Sequence, residues 1–256
     1  MSLPAKKTIK IDDNVTHYVY RMLNHEMILK HDNEKCIECG FCHRVCPVTE
    51  TIYEEPLKRT AIGTPEQMGI ASDRKIVVDT DKCVWCGSCT WICPGYTLEL
   101  FINGEKKLLV VENGSLPEFE AEVRELENGH RVRKVVEGSI KITSEEKNKK
   151  TLEKFADECS VSALSVEKGE IVVDRDKCIL CYKCTEAAEN YDKISVKVFR
   201  DRFKQVKGEP SSVWNGITER VLGKEGKVKG IMSRSQNKLA DAMMRLMGRV
   251  EETEES

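Results

Sequence analysis

Long apolar runs are missing from this chain: nowhere do 18 apolar residues follow one another, so no transmembrane segment is expected. The opening stretch, MSLPAKKTIKIDD, holds no apolar core of the signal-peptide kind. Glycine-rich nucleotide fingerprints are absent too. The glycine and lysine stretch GKEGKVKG at 223–230 lacks the Gly-Lys-Ser/Thr ending of a phosphate loop and reads as a linker. There is no C-x3-C-x2-C for radical chemistry, no pair of histidines for a Rieske centre, and no evident set of nucleophile, base and acid. An excess of charge of one sign is lacking as well. Lys and Arg number 41 against 43 Asp and Glu, a net charge of −2, so the whole chain carries no field suited to nucleic acid or an anionic membrane. These absences leave a protein without substrate chemistry of its own.

Cysteine is what the chain has in abundance, 12 in 256 residues. Every one falls in a ligand motif with none left over, which argues against disulfides and for a reducing, cytoplasmic compartment. Two runs, KCIECGFCHRVCP (35–47) and KCVWCGSCTWICP (82–94), repeat the spacing C-x2-C-x2-C-x3-C-P. A cubane of four irons and four sulfides needs one thiolate per iron, and cysteines at i, i+3 and i+6 let one short loop wrap a face of it. The fourth arrives from elsewhere. In two-cluster ferredoxins the cysteine before proline ligates the other cluster. On that rule Cys36, Cys39, Cys42 and Cys93 hold one 4Fe-4S cluster, and Cys83, Cys86, Cys89 and Cys46 hold a second. Gly40 and Gly87 stand where a positive φ would aim backbone amides at sulfur. Zinc is the rival metal, but its sites take two ligands from each of two loops, whereas here three are consecutive and a fourth precedes proline, twice.

A third run, KCILCYKCTEAAE (177–189), supplies Cys178, Cys181 and Cys184, then Ala188 where a fourth cysteine would stand. Upstream, Cys159-Ser-Val-Ser-Ala-Leu matches the ending of a ferredoxin half with Ser160 in place of proline, which makes Cys159 the missing ligand by the crossing rule. Counting back from Cys159 at the same spacing gives Phe155, Leu152 and Lys149. With Ala188 these are the four ligand positions of one lost cluster. The module therefore reads as a two-cluster ferredoxin that keeps one cluster and fills the other with apolar side chains. The plainer alternative is a buried Cys159 beside an incomplete run. Trp85, Trp91 and Tyr182, inside the cysteine loops, read as shields against water rather than electron relays, and His43 as a solvated neighbour.

The expected fold class is α+β: tandem ferredoxin-like 4Fe-4S modules with a small antiparallel β insertion and a helical C-terminal arm. Residues 1–34 form an N-terminal extension with a strand at TIKI, a helix opened by Asp13 or Asn14 that aligns Val15, Tyr18, Val19 and Met22, and a strand at Met27–Leu29. Residues 35–100 are a two-cluster domain whose insertion, 48–74, is too punctuated by Pro and Gly for a long helix and packs as an irregular loop over one cluster. Residues 101–142 are a β-rich insertion with Asn-Gly turns at 103, 113 and 128, and LELFINGEKKLLVV reads as a hairpin. Residues 143–199 are the degenerate one-cluster domain, opened by a Thr143/Glu146 capping box. The phrase KIVVDTDKC (75–83) returns as EIVVDRDKC (170–178), an internal repeat. In the arm, 200–256, one helix is expected from Ser211 or Ser212 to Leu222 and another from about Ser235 to Val250. Between Arg200 and Val250 there are 12 Lys or Arg against 5 Asp or Glu, so the arm is basic.

The three cysteine motifs resemble bacterial-type ferredoxin domains, and their repetition is similar to the polyferredoxins of anaerobic archaea. Within that group CSVSALSVEKGEIVVDRDKCILCYKC and SSVWNGITERVLG resemble iron–sulfur subunits of methanogen redox enzymes, such as formylmethanofuran dehydrogenase or energy-converting hydrogenases. The resemblance implies three 4Fe-4S clusters relaying single electrons between a larger redox enzyme, docked through the arm, and another carrier, which could be soluble. Nucleic acid is not among the expected partners. Two readings from other classes stand beside it: a scaffold or assembly protein with structural clusters, and a zinc-thiolate nucleic-acid module.

Overall fold

The computed structural model describes residues 4–48, 61–65, 73–126, 128–204, 206–207, 214 and 216–223. Helices are short and the sheets antiparallel. The largest sheet has five strands in the order β1 (Ala5–Lys10), β2 (Val15–Arg21), β3 (Glu26–Asp32), β6 (Leu98–Ile102), β7 (Glu105–Lys107). β4 (Ile62–Gly63) and β5 (Val77–Val78) form a separate short ladder. The segment expected to be a helix at 15–22 is thus a strand. Its apolar residues do fall at helical spacing, but Val, Thr and Tyr favour a pleated surface, and β2 buries Thr16 and Tyr18 on alternate positions.

The Asn103-Gly104 turn closes the β6–β7 hairpin with both residues at positive φ, 51° and 83°. The second half of that expected hairpin stops at Lys107; Leu109–Glu112 is a single helical turn, α3, after α1 (Phe41–Val45) and α2 (Ser88–Ile92). Glu112 holds it by accepting the N–H of Leu108 at 2.7 Å. Beyond it, β8 (Glu118–Phe119) pairs with β15 (Val206–Lys207), and β9 (Val123–Glu125) with β10 (Arg131–Arg133) around Asn128-Gly129.

A long ladder joins β11 (Val136–Ser144) to β14 (Ile194–Phe203), with a bulge beside Gly138. Between them lie α4 (Lys149–Asp157), the hairpin β12 (Leu164–Glu167)–β13 (Glu170–Val173), and α5 (Lys183–Ala188). The capping box expected at Thr143 is not used: Thr143 and Ser144 finish β11, and Asn148 caps α4 by accepting the N–H of Lys150 at 3.0 Å.

Residues 214 and 216–223 are helical and end at Gly223, φ 81°, near the expected stop. The second helix expected in the arm, most of the linker at 223–230 and most of the 48–74 insertion lie outside the described residues. Among the described residues no helix is long and apolar enough to cross a membrane.

Candidate metal centres

Three loops follow one backbone path. Each starts with the phrase D-x-x-K-C, at Asp32, Asp79 and Asp174. The Asp79 carboxylate accepts the N–H groups of Asp81 and Lys82 at 2.9 and 3.3 Å; that of Asp174 accepts those of Asp176 and Lys177, both at 3.0 Å. Asp32 accepts that of Lys35 at 3.3 Å. These side-chain turns reverse the chain as it leaves a strand. The residue before the second cysteine is then left-handed, φ 53° at Glu38, 48° at Trp85 and 56° at Leu180. So is the residue after it, 66° at Gly40, 77° at Gly87 and 73° at Tyr182. This double turn points the N–H groups of Glu38, Trp85 and Leu180 at the sulfurs of Cys36, Cys83 and Cys178. A short helix then places the third cysteine, Cys42 on α1, Cys89 on α2 and Cys184 on α5.

The closing cysteines match as well. The N–H four residues on donates to sulfur, Thr97 to Cys93 at 3.4 Å and Ala163 to Cys159 at 3.3 Å. A left-handed residue precedes each donor, Tyr96 at 53° and Ser162 at 49°. The carbonyls of Thr97 and Ala163 accept the N–H groups of Asp32 and Asp174 at 2.8 and 2.9 Å, tying each closing segment to a loop. After Cys46 the insertion intervenes and Ala61 takes this place, accepting the N–H of Asp79 at 2.8 Å and hydrogen-bonding Cys46 sulfur.

The sulfurs come together in three groups of four. Cys36, Cys39, Cys42 and Cys93 line one cavity with Ile76 and Thr97. Cys46, Cys83, Cys86 and Cys89 line another with Val48, Ala61 and Trp85, so two described stretches of the insertion border it. At the third loop the Cys159 sulfur is close enough for its charge to raise Cys178, Cys181 and Cys184. No three His, Cys, Asp or Glu among the described residues converge tightly enough to grip a single ion; the sulfurs are spread around cavity walls instead.

Burial pushes Cys36 up to about 11, with Cys93 adding and the Glu38 N–H opposing. Burial likewise takes Cys83 to about 11 and Cys184 to about 12, the neighbouring cysteines adding in each case. Cys39, Cys42 and Cys89 are raised well above the ordinary thiol value for the same reasons. Such thiols ionise together only when a bound cation balances them, and coordination deprotonates a thiol outright. A 4Fe-4S core fits this donor set: soft sulfur ligands, amides aimed at them, and a cavity ringed by four.

At the lost-cluster positions Leu152 and Phe155 are fully buried, with Ala188 and Tyr191 against them. Lys149 instead points outward and pairs with Glu153 at 3.4 Å, so apolar filling holds at three of the four positions. His43 is not solvated. It is 5% exposed, and burial lowers it to about 4. Trp85 and Trp91 are buried, Trp85 stacked on Tyr20 at 5.0 Å and Trp91 on Phe119 at 4.6 Å. Sequence reasoning missed Asp32 and Ala61; the first was legible in HDNEKC beside DTDKC and DRDKC, the second only from the fold.

Residues 32–97 match the model of a 4Fe-4S dicluster domain. No curated protein sequence matches the chain. A solved structure similar in fold belongs to the formate dehydrogenase–heterodisulfide reductase–formylmethanofuran dehydrogenase complex of Methanospirillum hungatei. The TM-score is 0.63 at 21% identity, covering 87% of this chain and 92% of that one. The ferredoxin resemblance therefore stands over residues 32–97, which match a 4Fe-4S dicluster domain, and the likeness in fold extends over most of the chain.

Proposed function

We propose that the chain is an electron-transfer subunit with three 4Fe-4S clusters, relaying single electrons between a larger redox enzyme and another carrier. The observation that carries this reading is the threefold recurrence of one loop geometry, each loop closed by a cysteine from a distant segment. Cys36, Cys39, Cys42 and Cys93 would hold the first cluster, Cys46, Cys83, Cys86 and Cys89 the second, and Cys159, Cys178, Cys181 and Cys184 the third. A bound 4Fe-4S cluster supplies one-electron redox chemistry. The protein's own part is to hold the sulfurs, donate N–H groups to them and exclude water; buried Trp85, Trp91 and Phe41 do the last. The third loop lies against the first, as the Lys183–Glu38 pair at 2.9 Å and the Ser160 hydroxyl donating to the Ile37 carbonyl at 3.1 Å require. That contact favours a continuous path over two unconnected modules.

The Methanospirillum complex brings formate oxidation and heterodisulfide reduction together by name, and a role inside an assembly of that kind is part of this reading. Docking would use the arm of residues 200–256. Anaerobic reconstitution tests the reading. The expected result is about twelve irons and twelve sulfides per chain, and reversible reduction by a low-potential donor. A colourless zinc-loaded protein, or clusters that resist reduction, would overturn it.

A further inference from the structure

Arg200 lies on β14 and is fully buried. Its guanidinium is clamped between two rings, 4.3 Å from Phe41 and 4.2 Å from Tyr182. Phe41 stands between Cys39 and Cys42 of the first loop, and Tyr182 between Cys181 and Cys184 of the third. Nε donates to the carbonyl of Leu180, again inside the third loop, and Nη1 to that of Val221, both at 2.8 Å. Among the described residues, Nη2 is buried without a partner and no carboxylate pairs with the group. An uncompensated buried cation is strongly destabilising, so a charge kept here needs a nearby anion. Cys39 and Cys181 line one cleft, where the first and third cysteine groups meet, and both are near enough to act electrostatically on the guanidinium.

Resting on the three-cluster reading, we propose that Arg200 is a positioning residue shared by the first and third sites, its fixed charge raising the reduction potential of the clusters bound at both and leaving the second site alone. A core held by four thiolates is a net anion, and reduction adds one electron to it. A permanent positive charge in a low-dielectric setting therefore favours the reduced form of each. Burial lowers the guanidinium only to about 10, so it stays charged at neutral pH. The two aromatic faces exclude the water that would otherwise screen it. Electrons entering at either of these sites would be shared between two neighbours tuned by one charge.

The experiment is an EPR-monitored redox titration of the loaded full chain, with signals assigned through the Cys93→Ser, Cys46→Ser and Cys159→Ser variants. In Arg200→Met, the first and third clusters are expected to become at least tenfold harder to reduce, which is about 59 mV for one electron, with the second unmoved. Arg200→Lys, which keeps the charge, should recover most of that shift. The proposal is overturned if no midpoint moves in Arg200→Met, if all three move alike, or if Arg200→Lys follows Arg200→Met. Should Arg200→Met lose iron, Arg200→Gln is read in the same way. Loss of iron from the first and third sites in both neutral variants but not in Arg200→Lys supports the same charge requirement. Loss in all three variants makes the guanidinium a folding element and overturns it. A chain that takes up no clusters even without substitution would instead overturn the three-cluster reading.

Discussion

At the scale of the residue, His31 has a consequence that can be measured. It is 0% exposed, both ring nitrogens lack partners among the described residues, and burial, with Arg74 adding, lowers it to about 4. A histidine with a depressed folded-state value contributes stability above its unfolded value of about 6.5, and that contribution is lost as pH falls toward 4. Between pH 7 and pH 5 the loss is about 2 kcal/mol. His31→Leu should therefore flatten the acid side of the thermal-stability profile relative to the wild type. Acid lability of the clusters affects both proteins alike, so the difference reads the imidazole; parallel profiles would show that it does not titrate on unfolding.

Cys159 is the residue on which the third site turns. Its sulfur receives the Ala163 N–H as Cys93 receives that of Thr97. On the three-cluster reading, Cys159→Ser should remove one cluster signal of three, with iron falling by about four per chain, and leave the other two unchanged. Damage to either of the first two signals would break the crossed assignment. These cysteines could be read from the sequence because ligand spacing is local and chemically constrained. Arg200 could not, because its partners Phe41 and Tyr182 lie in different loops that only the folded chain brings together.

At the scale of the element, the errors share one cause. A side chain that can cap a helix can also close a turn. Asp12 accepts the N–H groups of Asn14 and Val15, both at 2.7 Å, and closes the β1–β2 turn at the point expected to open a helix. Glu146 similarly accepts the N–H groups of Lys147 and Asn148 at 2.8 Å, ahead of the helix rather than at its start. Which use wins depends on the neighbouring strand, and that information is not local. The turn at Asn103-Gly104 was legible because its geometry selects those residues.

The bulge at Glu137 and Gly138 had no such signal, yet it determines where β14 points. Ile194, Val196 and Arg200 face inward before it, and Phe203 after it. A Cβ at Gly138 would press into the carbonyl of Phe199 and stand 2.9 Å from the Cα of Arg200. Gly138→Ala is expected to cost ~3 kcal/mol, a fall of roughly 6–12 °C in melting temperature for a chain of this size. The third cluster should be the first lost on heating. An unchanged melting curve would mean that the ladder tolerates the shift.

At the scale of the whole molecule, one core ties the dicluster domain to the chain that follows. Trp91 meets Phe119, Phe203 and Trp214 at 4.6, 5.9 and 6.0 Å, and its indole N–H donates to the Pro117 carbonyl at 2.7 Å. Ile217, Val221 and Leu222 extend the same core. The first helix of the basic arm therefore packs back on its own protein. Arg220 joins it to the second site by donating to the Cys46 carbonyl at 2.6 Å. Sequence periodicity located this helix but could not say which surface its apolar face would find, because an amphipathic stripe looks the same whether its partner is internal or external.

The two halves of the arm can be separated by truncation. Removing 208–256 strips Trp214, Ile217, Val221 and Leu222 from the core, at ~1.5 kcal/mol or more for each, so the expected outcome is a destabilised chain with poor iron retention. Ending the chain at Gly223 keeps those side chains while removing 7 of the 12 basic residues of Arg200–Val250: Lys224, Lys227, Lys229, Arg234, Lys238, Arg245 and Arg249. This shorter deletion should leave iron content, reducibility and melting temperature unchanged while the partner enzyme no longer co-purifies from the native source. Retained co-purification would move the dock to the folded body of the protein, and loss of iron would assign the tail to the fold.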